Sequence, residues 1–314
     1  MKVLVSDPLS DVGIEIFQNT PGIEVDVKTD LSPSELEEII GVYDALSIRS
    51  KTKVTEELLS KAKNLKVIGR AGIGLDNVDI PAATKADVAV MNTPFGNAIT
   101  TAEHTIAMIL SLSRNIPRAT ATMKDGKWEK KDLKGHEIYQ KTLGLVGIGN
   151  IGSLVAERAM GLKMKVIGFD PYQSNESIEK MGIRPVTFDE ILAESDYISI
   201  HTPKTAETTN LFNKETLYKM KKGAMLINCA RGGIVNEDDL HEVLEANHLG
   251  GGALDVFVTE PPGKICLMDL DNFICTSHLG ASTYEAQDNV ARDVANQIVE
   301  YLGTGKAPNI VNQE

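Results

Sequence analysis

Apolar residues in the first part of the chain come in short bursts, at residues 3–5, 23–27, 45–48, 66–69 and 88–91. Helically spaced stretches separate them. One, "SPSELEEIIG", opens with Ser32 as N-cap, Pro33 at the first helical position and Glu35 three residues after the cap. Strand-like bursts alternating with helices predict a parallel sheet with right-handed crossovers. A second series starts near Leu143: "TLGLVGIG", "KVIGFD", "YISIHTP", "AMLINCA", "GGALDVF" and "FICTSHLG". Each burst is rich in Val and Ile and followed by a helix or turn signal. Between the two series, "NAITTAEHTIAMILSLSRNIPRAT" carries helical periodicity and predicts one long helix, with Pro117 the place for a bend. The polar stretch "MKDGKWEKKDLKGHEIYQKT" then reads as an arm or loop. A last helix, about residues 282–302, follows the second series and is expected to cross back to the first.

The fold class expected is α/β, with two Rossmann-like doubly wound parallel-sheet domains. Residues 98–282 form one, inserted into the other, residues 1–97 plus 283–314. A length of 314 residues suits two cores better than one. The net charge of −12 disfavours nucleic acid and anionic membrane as partners. With one Trp, Trp128, a base-stacking surface is not expected. Cys229, Cys266 and Cys275 follow no CxxC spacing, which fits a reducing cytoplasm. No apolar run reaches membrane-spanning length, and "MKVLVSDPLS" lacks the apolar core of a signal peptide. An acidic chain that binds an anion must gather Arg, Lys or helix N-termini locally.

One such place is "LGLVGIGNIGSLVAERAMGLKMKVIGFDPY", with Gly147, Gly149 and Gly152 in G-x-G-x-x-G spacing. A strand pattern precedes it and a helical pattern follows. Gly147 permits a tight turn, Gly149 lets the backbone approach a pyrophosphate, and Gly152 lets helix and strand pack closely. Asn150 and Ile151 open the helix, whose N-terminus favours an anion. A second strand ends in Asp170, placed to accept ribose hydroxyls and to repel a 2′-phosphate, so NAD is the cofactor expected. The other glycine stretch, "GRAGIGLDNVD", lacks the full spacing and by itself reads only as a tight turn.

Polar residues also fall at strand ends in the second series. Arg231 closes "LINCAR", Asp255 interrupts "GGALDVF", Glu260 follows in "VTEPP" and His278 closes "FICTSH". Open α/β sheets bind ligands at these ends. Hydride transfer from a secondary alcohol needs a base for the hydroxyl proton, and His suits that near neutrality. A buried Glu260 against the other ring nitrogen would orient His278, and Arg231 would bind a carboxylate through its fork. Asp255 could instead cap a turn or orient the nicotinamide ribose. His104, His136, His201, His241 and His248 read as structural or surface residues. No His, Cys and Asp grouping has metal-site spacing, so no metal is expected.

"GIGNIG", "NCARGGIVNEDDL", "ALDVFVTEPP" and "SHLGAST" resemble, in order and spacing, the signatures of the D-isomer-specific 2-hydroxyacid dehydrogenase family, and the resemblance covers almost the whole chain. It implies Arg231 as substrate binder and Glu260 with His278 as the acid–base pair. Around the NAD it implies Thr202, Pro203, Thr208, Cys229, Ala230, Asp255, His278, Gly280 and Ala281. "SIRSKTKVTEELL", "VIGRAGIGLDNVDIPAAT" and "VMNTPFGNAITTAEHTIAMIL" are similar to members that oxidise D-3-phosphoglycerate to 3-phosphohydroxypyruvate, the first step of serine synthesis. These imply a phosphorylated 2-hydroxy acid held by Arg49, Arg70, Ala71 and Gly72, with Lys51 as a further candidate. Reduction of glyoxylate, hydroxypyruvate or D-lactate chemistry stays open, as does an NAD-sensing corepressor. Residues 97–134 suggest a homodimer contact, or a higher homo-oligomer. Ser277 stands where the family usually has Pro. Longer members continue into regulatory domains beyond the point matching Glu314, so serine feedback through such a domain is not expected. Hinges near residues 95–100 and 280–285 would let a cleft close on substrate.

Overall fold

A computed structural model describes residues 1–313. The chain forms two compact units: Met1–Asn97 with the chain from Ala281 onward, and Ala98–Gly280.

In the first unit the order along the chain is β1 (Lys2–Val5), α1 (Asp11–Asn19), β2 (Glu24–Val27), α2 (Pro33–Ile39), β3 (Ala45–Ile48), α3 (Glu56–Lys61), β4 (Val67–Arg70), α4 (Ile80–Lys85) and β5 (Ala89–Met91). All five strands are parallel, in the order β2-β1-β3-β4-β5. β3, apolar except for Ser47, is buried along its whole length, as in a strand covered on both faces. The capping box at α2 forms: Ser32 Oγ accepts the Glu35 N–H and Glu35 Oε2 accepts the Ser32 N–H.

The second unit opens with α5 (Ala98–Ser113) and α6 (Ile116–Lys124). The single long helix expected here is broken. Pro117 has no N–H to give Ser113, and its ring crowds that carbonyl. Asn115 takes the left-handed conformation, φ 52°, and the Ser113 carbonyl instead accepts the His136 N–H at 2.8 Å. The break thereby anchors the far end of the polar arm, residues 125–141, which contains no helix or strand.

Then follow β6 (Thr142–Val146), α7 (Asn150–Gly161), β7 (Lys165–Phe169), α8 (Asn175–Lys180), β8 (Arg184–Pro185), α9 (Phe188–Glu194), β9 (Tyr197–Ile200), α10 (Lys214–Lys219), β10 (Met225–Asn228), α11 (Glu237–Glu245), β11 (Gly251–Leu254) and β12 (Phe273–Cys275). The sheet order is β12-β11-β10-β9-β6-β7-β8, all parallel. From β6 the chain winds outward to β8, then crosses to β9 on the opposite side. That reversal opens a crevice beyond the carboxyl ends of β6 and β9. The two-residue β8 was not expected from sequence; it contains a Pro and lies at the sheet edge, where a missing donor is tolerated.

Finally α12 (Tyr284–Thr304) returns to the first unit. Val290, Val294, Ala295 and Ile298 share a core with Val3, Val5, Val67 and Ala89. The helix lies so close to β4 that a Cβ on Gly69 would stand 2.6 Å from Val294 Cγ2 and 2.8 Å from Ile298 Cδ1. Gly69→Ala is therefore expected to overpack this seam and lose about 1–3 kcal/mol. A urea midpoint that falls with an unchanged slope is the check; an unchanged midpoint would contradict the packing.

Candidate functional site

The chemistry-bearing residues of the second unit lie just beyond the carboxyl ends of its strands. The glycine turn follows β6. Gly147 has φ 93°, and a Cβ there would meet the His201 carbonyl oxygen at 2.7 Å. Gly152 lies over the same turn, its virtual Cβ 2.3 Å from Gly147 O. Gly149 faces open space. The three positions thus divide their work as turn, open approach and close helix packing. Asn150 and Ile151 form the first turn of α7, where amides have no partner within the helix.

Asp170, after β7, ties the turn down. Its Oδ2 accepts the Ile148 N–H at 2.8 Å and its Oδ1 accepts the Tyr172 N–H at 2.9 Å. Each oxygen retains a lone pair for ribose hydroxyls. After β9, the Thr202 hydroxyl is buried with no hydrogen-bond partner among the described residues, and its methyl carbon borders Gly147. Thr208 shapes the next turn, donating to Pro203 O at 2.7 Å and accepting the Thr205 N–H at 2.7 Å. An open glycine, a helix start, a ribose-competent carboxylate and an orphaned hydroxyl fit a dinucleotide.

Asp255, directly after β11, is fully buried. Its Oδ1 accepts Thr276 Oγ1–H at 2.5 Å and the Leu279 N–H at 2.7 Å, while its Oδ2 accepts the Gly280 N–H at 2.8 Å. Its carbonyl accepts the His278 N–H at 2.8 Å. Burial alone would raise its pKa, but hydrogen bonds from His104, Thr276, Leu279 and Gly280 outweigh that and hold it below the usual carboxylate value. One buried carboxylate therefore shapes the loop that carries His278, whose backbone sits at φ 56°. Ser277 lies inside this bonded loop.

The His278 ring meets Glu260 with Nδ1 2.7 Å from Oε2. A carboxylate can only accept, so Nδ1 carries the hydrogen, and in the neutral ring Nε2 then keeps a lone pair. Glu260 Oε1 also accepts the Phe257 N–H at 3.1 Å. The expectation of a buried Glu260 does not hold: its side chain is 37% exposed and that of His278 49%. The cause is local, since Glu260 stands in an exposed loop at residues 258–261.

Arg231 sits in a turn built by Asn228, whose Nδ2 donates to Arg231 O at 2.9 Å and whose Oδ1 accepts the Ala230 N–H at 3.0 Å. Arg231 Nη1 donates to Ala230 O at 2.7 Å. The next residue, Gly232, touches the loop leading to Glu260, and a Cβ there would stand 1.8 Å from Phe257 O. Glu237, at the start of α11, accepts the Val258 N–H at 2.7 Å. The Arg231 turn, Glu260 and His278 are thereby joined through direct contacts. Cys229 is buried, and burial with the Asp255 charge pushes its thiol up to about 12, so it supplies no thiolate. Gly280 is buried against Asp255 and ends the second unit; Ala281 starts the chain's return to the first.

In the first unit, Arg49 follows β3 and Arg70 ends β4. The buried Asp7 accepts the N–H groups of Arg49, Lys51 and Thr52 and the Thr52 hydroxyl. Ala71 N–H donates to Ile48 O at 2.8 Å. Gly72, at φ 150°, leaves room for Arg70: a Cβ would meet Nη1 at 2.6 Å. The Lys51 ammonium turns to Thr29 O, 2.8 Å, and Asp30, so its charge is spent there.

Sequence reasoning missed several residues that build these turns, including Asp7, Asn77, Asn228, Gly232 and Glu237. His104 is not merely a helix residue; its Nε2 lies 3.1 Å from Thr276 Oγ1 and 3.4 Å from Asp255 Oδ1. His248 is half-buried, its Nε2 3.0 Å from Met220 O.

The family model for the D-isomer specific 2-hydroxyacid dehydrogenase, NAD binding domain, matches residues 106–280. The D-3-phosphoglycerate dehydrogenase of Synechocystis is 50% identical over 99% of this chain and 56% of its own length. That of Bacillus subtilis is 49% identical over 96% of this chain and 57% of its own. The chain thus spans little more than half the length of these relatives. The structure of a D-lactate dehydrogenase from Aquifex aeolicus, complexed with NAD and lactic acid, superposes with a TM-score of 0.86 at 29% identity, covering 100% of both chains.

His201, at the end of β9, has its Nε2 2.9 Å from Ser199 Oγ, and desolvation lowers its pKa from 6.5 to about 4. Between those values the unfolded chain binds the proton more readily than the folded one. The stability this site contributes is complete above pH 6.5 and is lost as pH falls toward 4. His201→Gln keeps hydrogen-bonding capacity without the titration. Its Tm is expected to fall less than the parent's between about pH 7.5 and about pH 4.5; parallel falls would contradict the assignment.

Proposed function

The chain belongs to the D-isomer specific 2-hydroxyacid dehydrogenases, and on that premise we propose that it oxidises D-3-phosphoglycerate to 3-phosphohydroxypyruvate with NAD. The observation that carries the reading is the Glu260–His278 pair, beside an arginine turn and in the same unit as a dinucleotide-type glycine turn. NAD, when bound, supplies the hydride acceptor, and Gly147, Gly149, Asn150, Ile151, Gly152, Asp170 and Thr202 are the residues to hold it. His278 Nε2 takes the hydroxyl proton as the C–H bond breaks. Glu260, holding Nδ1–H, keeps the ring in the needed tautomer and favours the imidazolium that results. Arg231 receives the substrate carboxylate and polarises the forming carbonyl.

We assign phosphate recognition to Arg49 and Arg70, at the ends of the neighbouring strands β3 and β4. Two relatives that match nearly the whole chain are named for this reaction, and the acidic chain gathers both arginines at adjacent strand ends. Two copies associate through α5 and α6, where Ile99, Ile116 and Met123 are exposed. We assign the protein to the cytoplasm because its three cysteines, in no CxxC spacing, suit a reducing compartment.

The test is NADH absorbance on mixing the protein with NAD and D-3-phosphoglycerate. Arg231→Gln is expected to lower kcat by about 10²–10³, with NAD affinity retained. Arg49→Ala with Arg70→Ala is expected to raise KM for the phosphorylated acid. Turnover of D-lactate or glyoxylate chemistry with no preference for a phosphorylated acid would overturn the substrate assignment. Tight NAD binding without turnover of any 2-hydroxy acid would overturn the enzymatic one.

A further inference from the structure

One side chain of the first unit joins the Arg70 guanidinium group to the backbone at Arg49. Asn77 lies in the stretch after β4. Its Oδ1 accepts from Arg70 Nε at 3.1 Å, and its Nδ2 donates to Arg49 O at 2.8 Å and to Thr52 O at 2.6 Å. All three capacities of the amide that point this way are used. No other side chain type offers an acceptor and two donors at this reach in one planar group except Gln, which is one methylene longer.

The consequences are geometric. Arg49 follows β3 and Arg70 ends β4, neighbouring strands whose pairing runs to Ile48 opposite Arg70. Backbone pairing sets where the two chains run but leaves both guanidinium groups several rotatable bonds from the sheet. Asn77 holds Arg70 by its Nε, which restrains the orientation of the guanidinium group. The same amide holds the Arg49 carbonyl, and Asp7 Oδ2 accepts the Arg49 N–H at 2.6 Å from the other side. The backbone of Arg49 is thus clamped at both of its polar groups. On the remaining side of Arg70, Gly72 leaves the space that Nη1 fills. The Asn77 backbone carbonyl accepts the Val54 N–H at 2.8 Å, so the clamp is itself seated on the isolated bridge between Val54 and Val78.

We infer that Asn77 is a positioning residue that orients the Arg70 side chain against the backbone carrying Arg49, and thereby tunes the preference for a 2-hydroxy acid bearing a phosphate. This rests on the phosphate role proposed above for the two arginines. Asn77 does not touch the substrate; it restrains the Arg70 side chain and the backbone at Arg49, so less freedom is left to lose on binding a phosphate. Its effect therefore falls on affinity for the phosphorylated group and leaves the proton and hydride step alone.

The experiment compares D-3-phosphoglycerate with D-glycerate, which lacks the phosphate, in the parent, Asn77→Ala, Asn77→Ser, Arg70→Lys and the double variant Asn77→Ala with Arg70→Lys. Arg70→Lys removes the Nε that Asn77 holds. We expect Asn77→Ala to raise KM for D-3-phosphoglycerate about tenfold, the loss of a hydrogen bond to a charged group, with kcat within about twofold. KM for D-glycerate should stay unchanged. In the Arg70→Lys background the Asn77 substitution should cost much less, since the two act together. Asn77→Ser, smaller in its disturbance, carries the same comparison if the alanine variant does not fold. Equal losses for both acids, a loss confined to kcat, or full additivity with Arg70→Lys would overturn the inference while leaving the phosphate site standing. A parent protein that does not prefer D-3-phosphoglycerate to D-glycerate would overturn the proposed substrate, and this inference with it.

Discussion

A single buried carboxylate organises the reactive end of the second unit. Asp255 has lost its water and kept its charge, which is costly unless hydrogen bonds replace the lost solvation. Thr276, Leu279 and Gly280 supply them, and His104 stands close by. Because three of these groups come from one short loop, satisfying the carboxylate and folding the loop are the same event. His278 is held in that loop in a backbone conformation few non-glycine residues adopt. Its imidazole is aimed at Glu260 by the backbone, and the Glu260–His278 contact needs little energy of its own. That matters, since a hydrogen-bonded contact this exposed contributes little stability.

The same economy recurs in the Arg231 turn and in the first unit. Asn228, at a buried strand end, spends its amide on the turn that presents Arg231. Gly232 lets that turn lie directly on the backbone at Phe257, so the arginine turn and the Glu260 loop cannot separate without breaking packing. Asp7 and Asn77 do comparable work for Arg49 and Arg70. In each case a short polar side chain with little entropy to lose fixes a backbone, and a long charged side chain is carried by it. Function-bearing groups stay polar and reachable, while the groups that position them are buried or engaged.

What could be seen in the sequence divides along the same line. The parallel sheets were legible because each strand is a short Val- and Ile-rich burst followed by a helix signal. The glycine turn was legible because three glycines stand at a spacing that backbone geometry demands. Residues such as Arg231, Glu260 and His278 stood out because their chemistry is conspicuous at strand ends. Asn77 and Asp7 did not, since their partners lie 25 to 45 residues away in several of their bonds and no local pattern marks them. His104 was passed over for a related reason: it sits on a regular helix, and only the fold brings that helix beside Asp255. The break between α5 and α6 was half visible. Pro117 announced it, but its place depended on Asn115 and on the arm that claims the Ser113 carbonyl. Exposure was not legible at all, and Glu260 proved open where a buried acid was expected.

The central claim is that the imidazole nitrogen facing away from Glu260 is the atom that takes the substrate proton. A crystal structure of the ternary complex with NADH and a non-reacting phosphorylated 2-hydroxy acid analogue tests it most directly. The account predicts the analogue's hydroxyl about 2.6–3.2 Å from His278 Nε2, with Nδ1 still on Glu260 and the analogue's carboxylate on Arg231. A hydroxyl held instead by another residue, with Nε2 out of hydrogen-bond reach, would contradict it.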